Sequence, residues 1–514
     1  MANEPRSFGR LNQRQSSRDP KRVGLALLAA LALVSCGSPP KTNTSSLLEN
    51  LTNNDIAVST RLRLAEEIPD HIASGKLKRD DVTETLKGII WMRHLPQSMR
   101  LSALNLLLEP DGLLDRPRGV ALINGMMPTE TNSAVRHRLS QLVVIRDWPE
   151  VTPALVRSFA KPDRTIPDEG RSERMALLEL HPEDSIDEIV FRTFIEQDQS
   201  SVSRLRRDSW NLLSRLDESG EHRVDLLTAL LDDPPSESDR TLMALRRGLL
   251  DFRTIPLTGE ELEWLTALQG TSSQAASKWW TDAASAVASL NQSQRRGLRI
   301  RHLEALRWAA ANRSNWLGLS REDLDAKLTS RLASREHTRR VGDMIRFRSE
   351  KLDTWREDMA WADYITALVI DEAVGSERIR SALFTQTEAD RLDLTTEYGG
   401  IVRISIRPQE TEIYVAADYP PKPVMRENDT SFVASPEMFR EGTQALAHYH
   451  FHVQKVNNGR YAGPSLGDMN YAARYGRVCL VFTSLDEHTL GVDLYQPDGV
   501  IIDLGQIMRP TSGS

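Results

Sequence analysis

Three of the eleven histidines in this chain, His448, His450 and His452, fall within five residues of one another at strict alternation. Alternate residues of a β-strand share one face, and the apolar residues among them from Ala445 to Val453 suit a half-buried strand. Imidazoles side by side can grip one borderline metal ion, and zinc favours that ligand type. Further on, Ser465 and Asp468 stand in Ser-x-x-Asp spacing ahead of Met469-Asn470-Tyr471-Ala472-Ala473, the pattern of a first helical turn. An aspartate there offers a third ligand if the helix abuts the strand end. Each feature also has a purely structural reading. Polar residues alternating on the wet face of a strand produce His-x-His, and Ser-x-x-Asp caps helices.

Upstream stands one acid, in Thr396-Glu397-Tyr398-Gly399-Gly400-Ile401-Val402. Glutamate before a Gly-Gly-aliphatic strand start, then His-x-His, then Ser-x-x-Asp, resembles the JAMM (MPN/JAB) metalloprotease family. The resemblance covers about the last quarter of the chain. It implies zinc as cofactor, held by His450, His452 and Asp468. It implies Glu397 as the general base toward water and Ser465 as a group that helps hold the oxyanion. The family's aromatic position, two before the first ligand, falls on His448, which reads either as a packed, hydrogen-bonded histidine or as a group orienting a ligand from behind. Two departures stand out: Val453 replaces the usual proline, and twelve residues separate His452 from Ser465, against about seven in typical members. The insert Gln454 to Pro464 carries Asn457, Asn458, Gly459 and Gly463 and reads as a longer loop.

The elements that must carry these residues follow from pattern. At Leu392 the hydrophobic period changes from helical to alternating. Ile401 to Ile406 and Glu412 to Ala417 read as strands joined at Arg407-Pro408-Gln409. After a polar loop and a short helix around Met438 come the histidine strand, the Asp468 helix, a strand Val478 to Phe482, and a hairpin Gly491 to Leu504. Residues 386–514 are thus expected to form a mixed α/β domain, compatible with the JAMM sandwich.

Residues 55–385 are helical in pattern, with leucine-rich segments at three and four spacing between Pro, Gly or Asp breaks. Arginines recur at or next to segment starts, at 100, 136, 174 and 207. The stretch 55–270 resembles a degenerate HEAT-like α-solenoid, and 271–385 is expected to continue it. An irregular bundle is the competing arrangement. The fold class is therefore an α-helical solenoid or bundle followed by a smaller mixed α/β domain. A stacked solenoid offers a concave docking face; it also serves as a mere spacer. Ser334 to Arg348 reads as a solvated, charge-laced helix, Arg339 to Ala373 as one long helix, and the six tryptophans from Trp279 to Trp361 as core.

The chain opens with basic residues up to Arg22, then the apolar run Val23 to Val34, twelve residues long. That is too short to span a bilayer but suits a signal peptide. Leu33-Val34-Ser35-Cys36-Gly37 resembles a bacterial lipobox, which implies cleavage after residue 35, lipid on Cys36, export to the cell envelope and a flexible tether over 36–54. A plain secretory signal or a short anchor are the alternatives. Residues 1–35 hold six basic and two acidic residues, so their removal takes the net charge from −7 to −11. Such acidity argues against nucleic acid as a principal partner. Cys479 is the only other cysteine; in its apolar run it is expected to be a buried thiol.

Three functions are compatible with this reading. The first is a lipid-anchored zinc peptidase or isopeptidase acting on a protein or peptide, with the helical region as a docking arm. The others are a non-catalytic envelope scaffold and a metal-binding sensor. The sequence fixes no oligomeric state.

Overall fold

The computed structural model describes residues 44–163, 165–196, 202–217, 220–232, 235–270, 274–338, 350–405, 412–415, 428 and 430–511. The signal segment 1–35 and Cys36 lie outside the described residues, as does the turn Arg407-Pro408-Gln409. Among the described residues, no helix is long and apolar enough to cross a membrane. Among the described residues the regular structure is helical from Thr44 to Leu392, and a mixed six-stranded sheet follows.

The flexible tether expected over 36–54 does not hold from residue 44 on, and its earlier residues lie outside the described ones. Thr44–Thr52 is helical, and Leu47 and Leu51, one turn apart, are buried in the core. Leucines at helical spacing override the polar composition around them, because burying each is worth about 1.5–3 kcal/mol.

Buried arginines tie the helices together at roughly one repeat's distance. Arg100 donates from Nε to the carbonyl of Ile90 at 2.9 Å and pairs with Glu130. Glu130 in turn accepts the amides of Thr131 and Asn132, just ahead of the helix Ser133–Ile145. Arg206 repeats the device: Nε reaches the carbonyl of Phe194 at 3.1 Å, and Nη1 reaches Asp239 at 2.6 Å. Asp239 caps the helix Arg240–Arg247. Each guanidinium therefore joins an orphan carbonyl at one helix end to a carboxylate at or just ahead of the start of a later helix. Arg136 pairs with Asp163 at 2.6 Å. Near the recurring arginines at 174 and 207, the buried ones are Arg171 and Arg206.

In the sheet, the strands are β1 (Gly399–Ile404), β2 (Ile413–Val415), β3 (Ala445–His452), β4 (Cys479–Ser484), β5 (Thr489–Tyr495) and β6 (Ile501–Met508), in the order β2-β1-β3-β4-β5-β6. Only β3 and β4 are parallel, and the helix Leu466–Tyr475 lies in the crossover between them. A parallel pair requires such a crossover, and the apolar residues of β3 and β4 are buried as a central pair demands.

Two expectations between residues 334 and 373 fail. Residues 334–338 are not helical; they run beside β6, where Glu336 accepts the amide of Gln506 at 2.9 Å and Arg335 donates to the carbonyl of Leu504 at 2.8 Å. A strand edge with unpaired amides draws this segment away from helix. The long helix Arg339 to Ala373 is broken. A turn of helix at Leu352–Trp355 precedes Trp361–Gly375, whose start is fixed by Asp363 accepting the amide of Ala360 at 2.8 Å.

The boundary expected at 385 falls inside the helix Glu377–Leu392, so the helical period runs to Leu392. The apolar core crosses the junction as one cluster from Leu47 to Ile507, and all six of the tryptophans between 279 and 361 are buried in it. Cys479 is buried as expected.

Candidate metal centre

The site is built on the middle of the sheet. β3 lies between β1 and β4, with Gly399 opposite His450 and Gly400 opposite Tyr449. Both glycines are there for space. A Cβ on Gly400 would stand 2.5 Å from the Tyr449 hydroxyl, and one on Gly399 would collide with Phe432. Phe432 in turn stacks on His450, with ring centroids 5.9 Å apart and planes 12° from parallel. The glycine pair thus lets one aromatic ring fix the first imidazole.

Strand alternation sends His450 and His452 to the same side, where their Nε2 atoms lie 3.3 Å apart. The crossover helix brings Asp468 to them: Oδ1 is 3.3 Å from His450 Nε2 and Oδ2 is 3.8 Å from His452 Nε2. Ser465 caps that helix in a reciprocal capping box, its Oγ accepting the Asp468 amide at 3.2 Å while Asp468 Oδ2 accepts the Ser465 amide at 2.6 Å. Ser-x-x-Asp therefore serves as a cap and also aims the carboxylate. Glu397 closes the group. Ligand atoms of Glu397, His450 and His452 all lie within 4.8 Å of one another, a cluster that could hold a metal ion.

The imidazoles are oriented from behind. The carbonyl of Tyr461 lies 2.8 Å from His452 Nδ1 and can only accept, so Nδ1 carries the proton and Nε2 keeps its lone pair. Tyr495 Oη stands 3.4 Å from His450 Nδ1. Gln454 donates to Glu397 Oε1 at 2.7 Å and itself accepts from Asn458 at 2.8 Å.

The two carboxylates differ in character. Burial opposes ionisation of Asp468, but facing His450 and His452 and the Ser465 amide hold its carboxyl well below the usual range. Burial pushes Glu397 up to about 7, with Asp468 and Asp390 adding to the rise against the pull of His450. Asp468 is thus the permanent anion and Glu397 the proton-accepting one. Burial lowers His450, and the Asp468 carboxylate more than reverses this, so its net shift is upward.

His448 points into the same cavity wall but takes no part in the cluster. It is buried, Nδ1 lies 2.9 Å from the Tyr471 hydroxyl, and Nε2 has no partner. Burial, with Arg477 adding to it, drives its pKa far down, so the ring is neutral. It is the packed, hydrogen-bonded histidine.

These groups line one cavity of about 650 Å³ that also includes Phe432, Lys455 and Tyr461. The sequence identified the five central side chains but not Gln454, Asn458, Tyr461, Phe432 or Tyr495. Most of these belong to the loop after β3 or to the far end of the sheet, and only the tertiary fold brings them in. The long insert does not dislocate the site; it supplies the residues that brace Glu397 and His452. No known protein family, curated protein or solved structure matches this chain.

Proposed function

We propose that the sheet domain is a zinc-dependent peptidase or isopeptidase, JAMM-like in its residues, with the helical region as the arm that presents its substrate. One observation carries the reading. Tetrahedral zinc with ligands at about 2.0–2.1 Å has ligand-to-ligand edges of about 3.3–3.4 Å. The His450 Nε2–His452 Nε2 and His450 Nε2–Asp468 Oδ1 separations are both 3.3 Å, and His452 Nε2 stands 3.8 Å from Asp468 Oδ2, a little longer than that edge. The donor set is what zinc takes: two imidazoles and one carboxylate, with a fourth position left over.

Zinc bound there supplies a Lewis acid that makes water reactive at neutral pH. The chain's own groups do the rest. Gln454 occupies Glu397 Oε1, leaving Oε2 to take the proton of the attacking water and pass it to the leaving amine. Ser465 Oγ already accepts the Asp468 amide, so its hydroxyl hydrogen is available for the developing oxyanion. Asp468 and the Tyr461 carbonyl keep the imidazoles in one orientation.

Elemental analysis of the full chain, purified without chelator and then titrated with zinc, tests the reading. One zinc per chain is expected, lost in His452→Ala and Asp468→Ala. Glu397→Gln is expected to keep the metal and lose about 10²–10⁴ in turnover on a peptide library, the usual contribution of a general base. A chain that binds no zinc would leave the scaffold reading in front. One that binds zinc while Glu397→Gln turns over normally would favour the sensor.

A further inference from the structure

A second, larger cavity of about 910 Å³ lies at the seam between the helices and the sheet domain. Its walls come from the helix Gly259–Gly270 on one side and from Pro436–Glu441 and the end of Leu466–Tyr475 on the other. The seam is fixed by hydrogen bonds: Trp264 Nε1 donates to the Thr443 carbonyl at 2.7 Å, and Thr258 Oγ1 to the Arg474 carbonyl at 3.2 Å.

Six arginines line this cavity against two glutamates, in a chain whose overall charge is −7. Three of the six are balanced locally: Arg206 by Asp239, Arg207 by Glu263 at 3.7 Å, and Arg474 by Glu260 at 3.1 Å. The other three have no such close partner of their own, although the buried Glu261 acts on Arg477 from a distance. Among the described residues Arg240 and Arg477 form no ion pair, and Arg440 has only its neighbour Glu441, 3.7 Å away and equally near Arg403. Arg477 is the floor. Its side chain is buried, its guanidinium lies 3.4 Å from the centroid of the Trp264 ring, and Nη1 donates to the Gly442 carbonyl at 3.1 Å. A guanidinium held flat by an aromatic ring presents its remaining donors in a fixed fork suited to a carboxylate. Arg240 and Arg440 stand exposed at the rim.

We propose that this seam cavity binds an acidic stretch of polypeptide, its carboxylates engaged by Arg477 at the floor and by Arg240 and Arg440 at the rim. The volume accommodates several side chains, and the apolar wall of Trp264, Phe439 and Tyr475 covers their methylene stems. The cavity is tied to the candidate metal centre by one rigid element. Ser465 and Asp468 at the start of the helix Leu466–Tyr475 line the first cavity, and Arg474 and Tyr475 at its end line the second. Six positions of helix separate Asp468 from Arg474, about 9 Å along the axis. A polypeptide held by its acidic segment at the seam therefore has another segment within reach of the metal centre. Binding at the seam itself is independent of the metal reading, because it needs neither zinc nor turnover.

The test is fluorescence anisotropy on the full chain with fluorescein-labelled decaglutamate, and with decaglutamine as the neutral probe. Decaglutamate is expected to bind saturably and decaglutamine not to bind. Arg240→Glu combined with Arg440→Glu changes two exposed side chains and is expected to weaken decaglutamate at least tenfold. Arg63→Glu combined with Arg118→Glu makes the same change of net charge on a distant exposed surface and is expected to leave the affinity within twofold. The proposal is overturned by absence of saturable binding, by a rim variant that binds like the parent, or by equal weakening in the distant pair, which would make the attraction a general field effect.

Discussion

Gly400 shows how a residue with no chemistry of its own determines whether the candidate centre exists. A Cβ at this position would meet the Tyr449 hydroxyl at 2.5 Å and its Cζ at 2.8 Å, and Tyr449 is fully buried with its hydroxyl donating to Gln386. The ring has nowhere to go, so Gly400→Ala must push β1 away from β3. Overpacking of this kind costs about 1–3 kcal/mol. Urea unfolding should show that loss; on the proposed metal reading, a separate zinc titration should also show weaker binding, because Gly399 beside it lies opposite His450. Gly125→Ala is the matched control: it sits within the helix Arg116–Met126 with open space around it and should be neutral or stabilising by up to about 1 kcal/mol. At this scale much was legible. Alternation alone puts His450 and His452 on one face, and the Ser-x-x-Asp cap alone sets the carboxylate of Asp468 at a helix start. What local rules cannot supply is the pairing of Gln454 with Glu397, 57 positions away in sequence. Nothing in the composition of a polar loop distinguishes a glutamine that braces a buried carboxyl from one that faces solvent.

Among elements, the buried arginine ties are what make successive helices one body. Arg206 spends its donors on the carbonyls of Phe194 and Ile195 and on Asp239, and the guanidinium also lies over the Phe194 ring, 5.7 Å from its centroid. Removing it strands the Asp239 carboxylate in a half-buried position and leaves two helix-end carbonyls without their partner. Arg206→Met is accordingly expected to cost about 3–5 kcal/mol, as when one member of a buried ion pair is lost. Arg207→Met, at the neighbouring position, pairs only at 3.7 Å with the exposed Glu263 and should cost less than about 1 kcal/mol. Thermal melts of the two variants separate these roles; equal shifts would mean that the tie does not carry the packing. The recurrence of arginine near helix starts was visible in the sequence, but which of two adjacent arginines turns inward was not. That choice depends on the phase of each helix, and one residue of error rotates a side chain by 100° (3.6 residues per turn). The same limit explains the failure at 334–338, where charge pattern suggested helix and the open edge of β6 imposed an extended course instead.

Across the whole molecule, the junction between helices and sheet is held by a buried polar cluster centred on Asp363. Its Oδ1 accepts from His302 Nε2 at 2.8 Å and from Arg301 at 3.2 Å, and its Oδ2 accepts the Ala360 amide. Arg301 continues across the seam to Asp498 at 2.7 Å, at the turn between β5 and β6. The tautomer of His302 follows from its other side: Nδ1 accepts the Arg299 amide at 3.0 Å, so Nε2 carries the proton and the ring is neutral. Burial drives His302 below its ordinary 6.5 against the attraction of Asp363. Burial also opposes the charge of Asp363, yet the bond from His302 and the Arg301 guanidinium hold its carboxyl well below the ordinary 3.8. Both shifts are downward, so both act in the same sense. The stability they contribute is complete above the unfolded values and is lost as pH falls, first below about 6.5 as the unfolded histidine takes a proton, then below about 4 as the unfolded aspartate does. Asp363→Asn leaves Arg301 short of one counter-charge in a buried site and should cost about 3–5 kcal/mol at pH 7. The gap between the two proteins should narrow as the pH is lowered below about 4, because protonation then removes from the parent what the variant already lacks. Urea midpoints for both chains at pH 7, 5, 4 and 3 measure it. A gap that stays constant over that range would mean that Asp363 holds the seam by shape and not by charge. Since the apolar core is continuous from Leu47 to Ile507, tryptophan fluorescence, which reports mainly on the helices, and the loss of sheet signal should move together at each pH; two separated transitions would place the seam among the weak points of the fold.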